Sequence, residues 1–548
     1  MAAIILTTLN ARWSHASMGL RCLRANLGHL REQSCIREFT INDPCMRIVE
    51  DLLAENPRII GMGVYIWNLR ESERVVAALK ALRPDIVVVC GGPEVSHGTE
   101  HTRLDVLADC IVSGEGDEVF ATICRAVLDG GLPPRRVSAP SPDLASIALP
   151  YAEYSNEDLS KRIIYVEASR GCPFTCEFCL SSIDEAVRTV PLERFLAAMD
   201  DLIHRGCRTF KFVDRTFNLK PSSCQQILDF FHERWPRDAH GDLLSPLTTR
   251  QMDANAERGQ AFFLHFEMVP DRLPEAIKSN IERFPAGAIQ FEVGIQSFTP
   301  EVGKLISRRM HPGRTAENLR YLRDSGLVHV HADLIVGLPG ETLETFLDSY
   351  DQLHELGPEE IQVGILKLLR GTPLARHIPD FAMVFNPEPP YDLLASRDFP
   401  FASMQRMKRF ARYHDVFVNS GRFPHTMACI TQQGASPARS LLTFSDWLWQ
   451  STGQEHQFAL TRQYDLLLDY LLHCGVTHTT ALDTLCQDAL TRESKRGIPE
   501  RLRPIVEAAW HNRPTLPQAV QPPSPSTAAN STTKQPVTNA MDIAHASD

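Results

Sequence analysis

Three cysteines stand close together in the segment GCPFTCEFC at residues 171–179, directly after a short apolar run. Thiolates are soft ligands that favour Fe–S clusters or zinc. A structural zinc site needs four ligands, and the fourth is missing locally, although a distant cysteine or histidine could supply it. Cys172, Cys176 and Cys179 on a 4Fe–4S cluster would leave one iron open. The pattern predicts a metal site, with a zinc knuckle or three buried thiols as the alternatives.

The composition sets limits on the class of protein. A chain of 548 residues is long enough for about three or four domains. The net charge of −11 argues against a nucleic-acid or anionic-membrane surface. No apolar run approaches the roughly 20 residues that a membrane helix needs. Most of the 14 cysteines are scattered singly in apolar segments, as buried thiols of a cytoplasmic protein are.

Residues 1–130 alternate apolar strands with helical stretches, which predicts a doubly wound, flavodoxin- or Rossmann-like parallel sheet. We expect a helix over Ser17–Leu30. The predicted strands are Ala3–Leu9, Arg58–Ile66, Asp85–Cys90 and Asp109–Ser113. Glycines cluster where these strands end, and ligands of parallel sheets bind at that edge.

Residues 161–375 repeat a strand-then-helix pattern, which predicts a partial (β/α)6 barrel of the TIM type. The predicted strands are Ile163–Glu167, Thr209–Val213, Phe263–Met268, Ile289–Gly294, Val328–Val336 and Glu360–Lys367.

The predicted domain organisation has five parts, in an α/β chain that ends in helices. A first domain over 1–131 is joined by a proline-rich linker, 132–160, to the barrel over 161–385. A mainly helical domain follows over 386–512, with no strand pattern. Residues 513–548 are rich in Pro, Ser, Thr, Asn and Gln and are expected to be disordered.

The spacing C-x-x-x-C-x-x-C, with Phe178 before the last cysteine, resembles the radical S-adenosylmethionine (SAM) superfamily. The resemblance implies that the three cysteines hold a 4Fe–4S cluster whose open iron binds SAM. It implies that Phe178 contacts the adenine. Asp214, at the end of the second strand, is expected to pair with the SAM ammonium group.

The fourth and fifth barrel strands extend this resemblance. The fourth reads FEVGIQS over 291–297, and the resemblance places Glu292, Gln296 and Ser297 at the SAM ribose. Strand alternation puts Glu292 and Gln296 on one face. The fifth strand leads into a turn with Gly337 on the adenine side, and Thr342 is expected to cap the next helix.

The first domain has no G-x-G-x-x-G after its first strand, so a generic flavodoxin-like module is one interpretation. Its position ahead of a radical SAM barrel and its glycine spacing resemble the cobalamin-binding domain. The residues that this implies for cobalamin are Gly61, Gly63, Gly91, Gly92, Gly114, Glu115 and Gly116. The family's ligand histidine would fall at Ala16, and His15 is turned away by about 100° on a helix, so we expect cobalt without a histidine ligand.

The C-terminal region resembles a domain of unknown function that accompanies one branch of cobalamin-dependent radical SAM proteins. Together the resemblances imply an enzyme that methylates an unactivated carbon through a 5′-deoxyadenosyl radical and methylcobalamin. Alternatives are a cyclase of the anaerobic Mg-protoporphyrin ester type, a non-methylating RNA or small-molecule modifying enzyme, and a binding protein with a structural cluster. The expected partners are a small-molecule substrate and an electron donor such as flavodoxin or ferredoxin, with no membrane or nucleic acid.

Overall fold

A computed structural model describes residues 2–98, 102–184, 186–246, 261–491 and 497–511. Its first sheet is entirely parallel, with the strand order β2-β1-β3-β4-β5-β6. The strands are β1 (Ile4–Asn10), β2 (Ser34–Thr40), β3 (Ile59–Gly63), β4 (Val87–Gly91), β5 (Cys110–Gly114) and β6 (Arg136–Ala139). The order of the first five is that of flavodoxin-like sheets, so the predicted doubly wound fold is confirmed.

Helices cover both faces of this sheet, and an apolar cluster forms on each face. They are α1 (Met18–Ala25), α2 (Cys45–Leu53), α3 (Leu69–Leu82), α4 (Pro93–Ser96), α5 (Leu104–Leu107) and α6 (Val119–Leu128). Because β1 lies between β2 and β3 with helices on both faces, all seven of its residues are buried.

Two strands of this sheet differ from the sequence prediction. Residues 136–139, which we assigned to a linker, form β6 and pair with β5. β2 had no predicted counterpart, because at the sheet edge its residues are mostly half-buried and its side chains are mixed. The predicted helix over Ser17–Leu30 ends at Ala25, and a 3-10 turn over Gly28–Gln33 follows.

The second parallel sheet has the order β14-β13-β12-β11-β10-β7 in the described residues, which confirms the partial barrel. Its strands are β7 (Ile164–Val166), β10 (Thr209–Phe212), β11 (Phe263–Met268), β12 (Ile289–Gln296), β13 (Val328–Val336) and β14 (Glu360–Ile365). A two-stranded antiparallel ribbon, β8 (Ser169–Arg170) and β9 (Arg188–Thr189), brackets the cysteine segment.

Helices pack on the outside of the barrel and connect its strands. They are α7 (Asn156–Lys161), α8 (Leu192–His204), α9 (Pro221–Glu233), α10 (Glu275–Ile281), α11 (Pro300–Leu305), α12 (Pro312–Ser325) and α13 (Leu343–Leu356). Thr342 begins α13 with a capping box, as expected.

The C-terminal region is mainly helical, but it opens on a short antiparallel ribbon, β15 (Val384–Phe385) and β16 (Leu393–Ala395). Strands of two and three residues are too short to leave a pattern. The helices are α14 (Phe401–His414), α15 (Pro424–Thr431), α16 (Pro437–Thr452), α17 (Leu460–His473), α18 (His478–Leu490) and α19 (Arg503–His511). The predicted disordered tail, 513–548, lies outside the described residues.

The first domain contacts the barrel edge at β7. The backbone N–H of Ile163 donates to the carbonyl of Ser14 at 2.8 Å, and His15 forms a parallel β-bridge with Ile163. His15 Nδ1 lies 2.6 Å from the Tyr165 hydroxyl. Backbone pairing across the two domains holds their relative position. Within the described residues, no helix is both long and apolar enough to cross a membrane.

Candidate functional site

The cysteine segment is the loop that connects β8 to β9, at the carboxyl end of β7. Gly171 begins it with φ +90°, and a Cβ there would collide with the carbonyl oxygen of Ala186. A glycine is therefore required at this tight turn. The backbone N–H of Cys172 donates to the carbonyl of Asp184 at 3.1 Å, which closes the loop on itself.

The three cysteines line one cavity of about 250 Å³ at the carboxyl ends of the barrel strands. All three are free thiols, with Cys176 buried and the other two half-buried. The remaining polar lining comes from the ends of β10 to β13 and the loop after α11, namely Arg215, Thr216, Glu267, Asp271, Glu292, Gln296, Arg308, Arg309 and Asp333. Phe178 also lines this cavity, beside Cys179.

The donor set of this cavity fits an iron–sulfur cluster. In the described part of the chain, no three His, Cys, Asp or Glu side chains are placed to hold a metal ion. A 4Fe–4S cluster needs a different arrangement from a single metal ion, because each thiolate binds a different iron atom. Arg308 Nη1 lies 3.4 Å from Cys176 Sγ, so its positive charge stands beside this thiol. Burial raises the pKa of the Cys172 thiol, so metal binding would have to displace its proton.

Gln296 presents an unused hydrogen-bond acceptor to the same cavity. The residue has φ +71° at a bulge in the β12–β13 pairing, and its side chain folds back over Gly294. Gln296 is 8% exposed, and its Oε1 atom has no hydrogen-bond partner among the described residues. A buried acceptor without a partner is costly, so this atom is suited to a ligand hydroxyl or N–H group.

Charged groups inside the barrel set the protonation of the cavity's carboxylates. His265 Nε2 lies 3.0 Å from Glu292, and this hydrogen bond lowers the pKa of Glu292 to about 2. Burial, with the negative charges of Glu292 and Glu267 nearby, raises the pKa of Asp333 to about 8. The cavity therefore combines one firmly ionised carboxylate with one that holds its proton near neutral pH.

Three residues that we assigned to SAM do not line the cavity that contains the cysteines. Asp214 is buried beside the cavity, where its carboxylate accepts from Ser169 Oγ at 2.6 Å and from the N–H of Ala168 at 3.0 Å. It anchors the start of β8 and lines a separate cavity of about 170 Å³. Ser297 lines a third cavity, on the other side of the Arg308 segment. Gly337 packs against Leu393 of β16, leaving no room for a Cβ.

The predicted cobalamin glycines come together in the first domain. Gly61, Gly63, Gly91, Gly92, Gly114 and Gly116 all line one cleft of about 140 Å³ at the carboxyl edge of the sheet. A Cβ at Gly91 would lie 3.7 Å from the Val112 carbonyl oxygen, so a side chain would fit the backbone but occupy the cleft. Gly92 has φ +116°, and a Cβ there would meet the Val64 carbonyl oxygen at 2.5 Å. The cleft suits a narrow ligand segment such as a nucleotide tail.

Glu115, the seventh predicted cobalamin residue, points away from this cleft. It accepts from Arg170 Nη1 at 2.6 Å and forms a close ion pair with Arg188. Arg170 and Arg188 are direct partners across the β8–β9 ribbon, where like charges repel. Glu115 of the first domain therefore bridges the two arginines at the base of the cysteine segment, and Asp117, Glu167 and Asp184 complete the charge balance there.

Sequence reasoning missed several residues of the site. Glu177 is 2% exposed, accepts from Ser307 Oγ at 2.7 Å and lies 2.7 Å from His377 Nε2. It ties the cysteine segment to the loop after α11 and to the 3-10 turn after β14. The sequence contained an indication for Asp333, because strand alternation places its polar side chain on the same face as His329 and His331. Arg308 and Glu177 act through contacts distant in the chain and left no signal.

Comparison with known families agrees with this architecture. Residues 6–124 match the B12 binding domain, 166–353 match the radical SAM superfamily, and 379–514 match a protein of unknown function, DUF4080. The chain thus contains a B12 binding domain followed by a radical SAM domain. The DUF4080 region follows them, so the three regions stand in the order that was predicted from the sequence. The radical SAM domain implies SAM and a 4Fe–4S cluster, and the B12 binding domain implies cobalamin.

Relatives with known activities are distant in sequence. The cobalamin-dependent radical SAM methyltransferase TokK of Streptomyces tokunonensis is 23% identical over 76% of this chain and 61% of its own length. The anaerobic magnesium-protoporphyrin IX monomethyl ester cyclase of Rubrivivax gelatinosus is 25% identical over 57% of each chain. The chain therefore spans about three fifths of the length of these relatives.

Two solved structures share the fold. The radical SAM methyltransferase TsrM from Kitasatospora setae aligns with a TM-score of 0.53 and 17% identity, over 69% of this chain and 76% of its own. The cobalamin-dependent SAM radical enzyme OxsB aligns with a TM-score of 0.56 and 14% identity, over 93% of this chain and 80% of its own. At these identities the likeness concerns the fold alone.

Proposed function

We propose that this chain is a cobalamin-dependent radical SAM methyltransferase that acts on an unactivated carbon of a small molecule in the cytoplasm. One observation carries the proposal: a cavity with three thiols and a glycine-lined cleft lie in adjoining domains whose backbones pair. When bound, the cluster with SAM supplies hydrogen abstraction and cobalamin supplies a methyl group. The chain's own residues bind and orient the cofactors and the substrate, and they exclude water.

The proposed roles follow from the chemistry of each side chain. Cys172, Cys176 and Cys179 hold the cluster, with Arg308 donating towards the Cys176 sulfur. Gln296 offers its free oxygen to a SAM hydroxyl. Glu292, ionised by its hydrogen bond with His265, favours a positively charged ligand. Phe178 contributes an apolar wall.

In the first domain we propose that the glycine cleft takes the nucleotide tail of cobalamin. Its walls suit glycine because a side chain longer than that of alanine at Gly63 or Gly91 would occupy the space. We propose that cobalt has no histidine ligand from the His15 position, because His15 Nδ1 is hydrogen-bonded with Tyr165 of the barrel.

The test is a labelling experiment on the loaded protein. Protein reconstituted with iron, sulfide and hydroxocobalamin is reduced and given SAM with a deuterated methyl group. We expect labelled methylcobalamin, together with 5′-deoxyadenosine that is absent from the Cys176→Ala variant. Neither product from the wild-type protein would refute the proposal.

The similarity to the magnesium-protoporphyrin ester cyclase supports cyclisation as a second candidate. The two reactions differ in product mass. A methylated product gains the deuterated methyl group from SAM, whereas a cyclised product carries no label. An unlabelled product in a reaction that consumes SAM would favour the cyclase.

A further inference from the structure

The first domain contacts the barrel at both edge strands of the second sheet. On the side of β7 it contacts Ile163 and Arg170. On the other side, residues 92–98, which follow β4 and include α4, contact the segment that follows β14. We call residues 92–98 the cleft loop, because its first residue, Gly92, lines the glycine cleft. The second contact is a buried hydrogen-bonded cluster that has no role in the proposed function.

The centre of this cluster is the carboxylate of Glu94, which is 5% exposed. Arg370 Nε donates to Oε1 of Glu94 at 2.9 Å, and the Tyr391 hydroxyl donates to the same oxygen. Arg370 Nη2 donates to the Tyr391 oxygen at 2.8 Å, and Arg370 Nη1 donates to the carbonyl of Gly98 at 2.9 Å. Burial, with the carboxylate of Glu94 beside it, raises the pKa of Tyr391, so this hydroxyl keeps its proton as a donor. Hydrogen bonds to a charged group are strong, so the cleft loop is firmly held.

Tyr391 belongs to the C-terminal region, in the turn between β15 and β16. Its backbone is fixed to the barrel edge, since its carbonyl accepts from the N–H of Leu368 at 3.1 Å. Its φ of +59° is a strained value for a non-glycine residue, and surrounding contacts must maintain it. Beside it, His97 of the cleft loop packs on Gly371, where a Cβ would lie 2.5 Å from the His97 ring. The C-terminal region therefore holds the cleft loop with a side chain whose own position is fixed.

Hydrogen bonds within the first domain connect the cleft loop to the walls of the glycine cleft. Ser96 Oγ donates to the carbonyl of Gly92 at 2.9 Å and accepts from the N–H of Gly114 at 3.2 Å. Gly92 and Gly114 both line the cleft. Because Glu94 lies between Gly92 and Ser96 in the chain, a displacement of Glu94 would move this wall.

We propose that Tyr391 and Arg370 are positioning residues that hold the cleft loop in the conformation that binds cobalamin, so that the C-terminal region controls how long cobalamin is retained. The inference rests on the proposed function, because it requires cobalamin in the glycine cleft. Holding a loop in its bound conformation lowers the entropy cost of binding, and such effects appear mainly in the dissociation rate. The coupling is reciprocal, so bound cobalamin also stabilises the contact with Tyr391.

The experiment measures how fast cobalamin leaves the reconstituted full chain. Tyr391→Phe removes the hydroxyl and keeps the ring, and Glu94→Gln removes the charge and keeps the shape. Glu388→Gln is the matched control, because Glu388 lies in the same turn as Tyr391 and pairs with Arg70 of α3 at 2.7 Å, but both side chains are more than half exposed. An exposed ion pair contributes little. Exchange of bound cobalamin against an excess of radiolabelled hydroxocobalamin gives the dissociation rate for each protein.

We expect Tyr391→Phe to exchange cobalamin about three- to tenfold faster than the wild-type protein, as the loss of one hydrogen bond to a buried group does. Glu94→Gln should be faster by a similar factor, and the two effects should not add in the double variant, because both substitutions remove the same contact. Glu388→Gln should exchange at the wild-type rate. A Tyr391→Phe variant as slow as the wild-type protein, or a control as fast as Tyr391→Phe, would overturn the proposal.

A second measurement separates the positioning of the cleft loop from a general effect on stability. A ligand that binds only the folded protein raises its melting temperature. The rise that a fixed concentration of hydroxocobalamin causes should be smaller in Tyr391→Phe than in the wild-type protein, with equal iron content in both. An unchanged rise would mean that the contact supports the fold alone, and the proposal would be wrong.

The two proposals fail in different ways. If the wild-type protein retains cobalamin and the variants release it at the same rate, this inference alone is refuted. If the wild-type protein retains no cobalamin, the proposed function is refuted and this inference with it.

Discussion

At the scale of single residues, chemistry that depends on neighbours in sequence was predictable, and chemistry that depends on distant neighbours was not. The three cysteines are separated by only a few positions, so their spacing alone indicated a metal site. Asp214 has the strand position for a SAM contact, but its carboxylate accepts hydrogen bonds from Ser169 and Ala168 and does not line the cysteine cavity. The sequence does not indicate which hydrogen-bond donors a carboxylate will meet in the folded protein.

The cluster assignment predicts a clear division among the cysteines. Cys172→Ala, Cys176→Ala and Cys179→Ala should each abolish the brown absorbance near about 400 nm, because a thiolate ligand is lost. Cys207→Ala and Cys224→Ala are matched controls, since both thiols are buried in the barrel core, away from the cavity. Absorbance and iron content measure the result. Identical behaviour of all five variants would contradict the assignment.

The role of Gln296 predicts a selective loss of SAM affinity. Gln296→Ala removes a buried acceptor and should weaken SAM binding about three- to tenfold, as the loss of one hydrogen bond does. Gln290→Ala is the matched control, because Gln290 is equally buried on the same strand but does not line the cavity. Equilibrium dialysis with labelled SAM measures both. An equal loss in the two variants would indicate a general disturbance of β12.

At the scale of elements, the barrel strands were predictable because each has an apolar residue at every second position. β11 and β13 have the predicted bounds, Phe263–Met268 and Val328–Val336. The strands that escaped prediction are β2 and β6 at the edges of the first sheet and the short β8, β9, β15 and β16. Edge strands and very short strands bury few side chains, so their sequences carry little periodicity.

The glycine cleft predicts a size-dependent effect at Gly91. Gly91→Ala should fold and bind cobalamin nearly as the wild-type protein does, because its Cβ lies at ordinary contact distance from Val112. Gly91→Leu fills the cleft and should abolish cobalamin retention, with cluster content unchanged. The measurement is cobalt per chain after reconstitution and gel filtration. Full retention by Gly91→Leu would place cobalamin elsewhere. Gly92 is unsuitable for this test, because its φ of +116° strains any substitution.

At the scale of the whole molecule, the first domain contacts the base of the cysteine segment. Its residue Glu115 pairs with both arginines there, Arg170 and Arg188. A buried ion pair between Arg162 and Glu38 reinforces the same interface. No sequence pattern indicated these contacts, because they join residues more than fifty positions apart. The order of the domains was predictable, and their docking was not.

This interface predicts that Glu115 stabilises the cluster. Glu115→Gln removes the carboxylate that the two facing arginines share and leaves Asp117 and Glu167 with Arg170 and Asp184 with Arg188. It should cost about 1 kcal/mol, with faster iron release to a chelator. Glu118→Gln is the control, because Glu118 is exposed three residues away and has no ion pair among the described residues. Thermal unfolding and iron release measure both effects. If the two variants behave alike, the interface does not support the cysteine segment.

The central claim is that one chain holds a cluster that binds SAM and, in the adjoining domain, cobalamin without a histidine ligand. The electron paramagnetic resonance spectrum of the reduced, reconstituted wild-type protein, recorded with and without SAM, tests it most directly. We predict a reduced-cluster signal that changes shape when SAM is added, and a Co(II) signal without splitting from a protein nitrogen. A cluster signal that SAM leaves unchanged, or the absence of a Co(II) signal, would contradict the account.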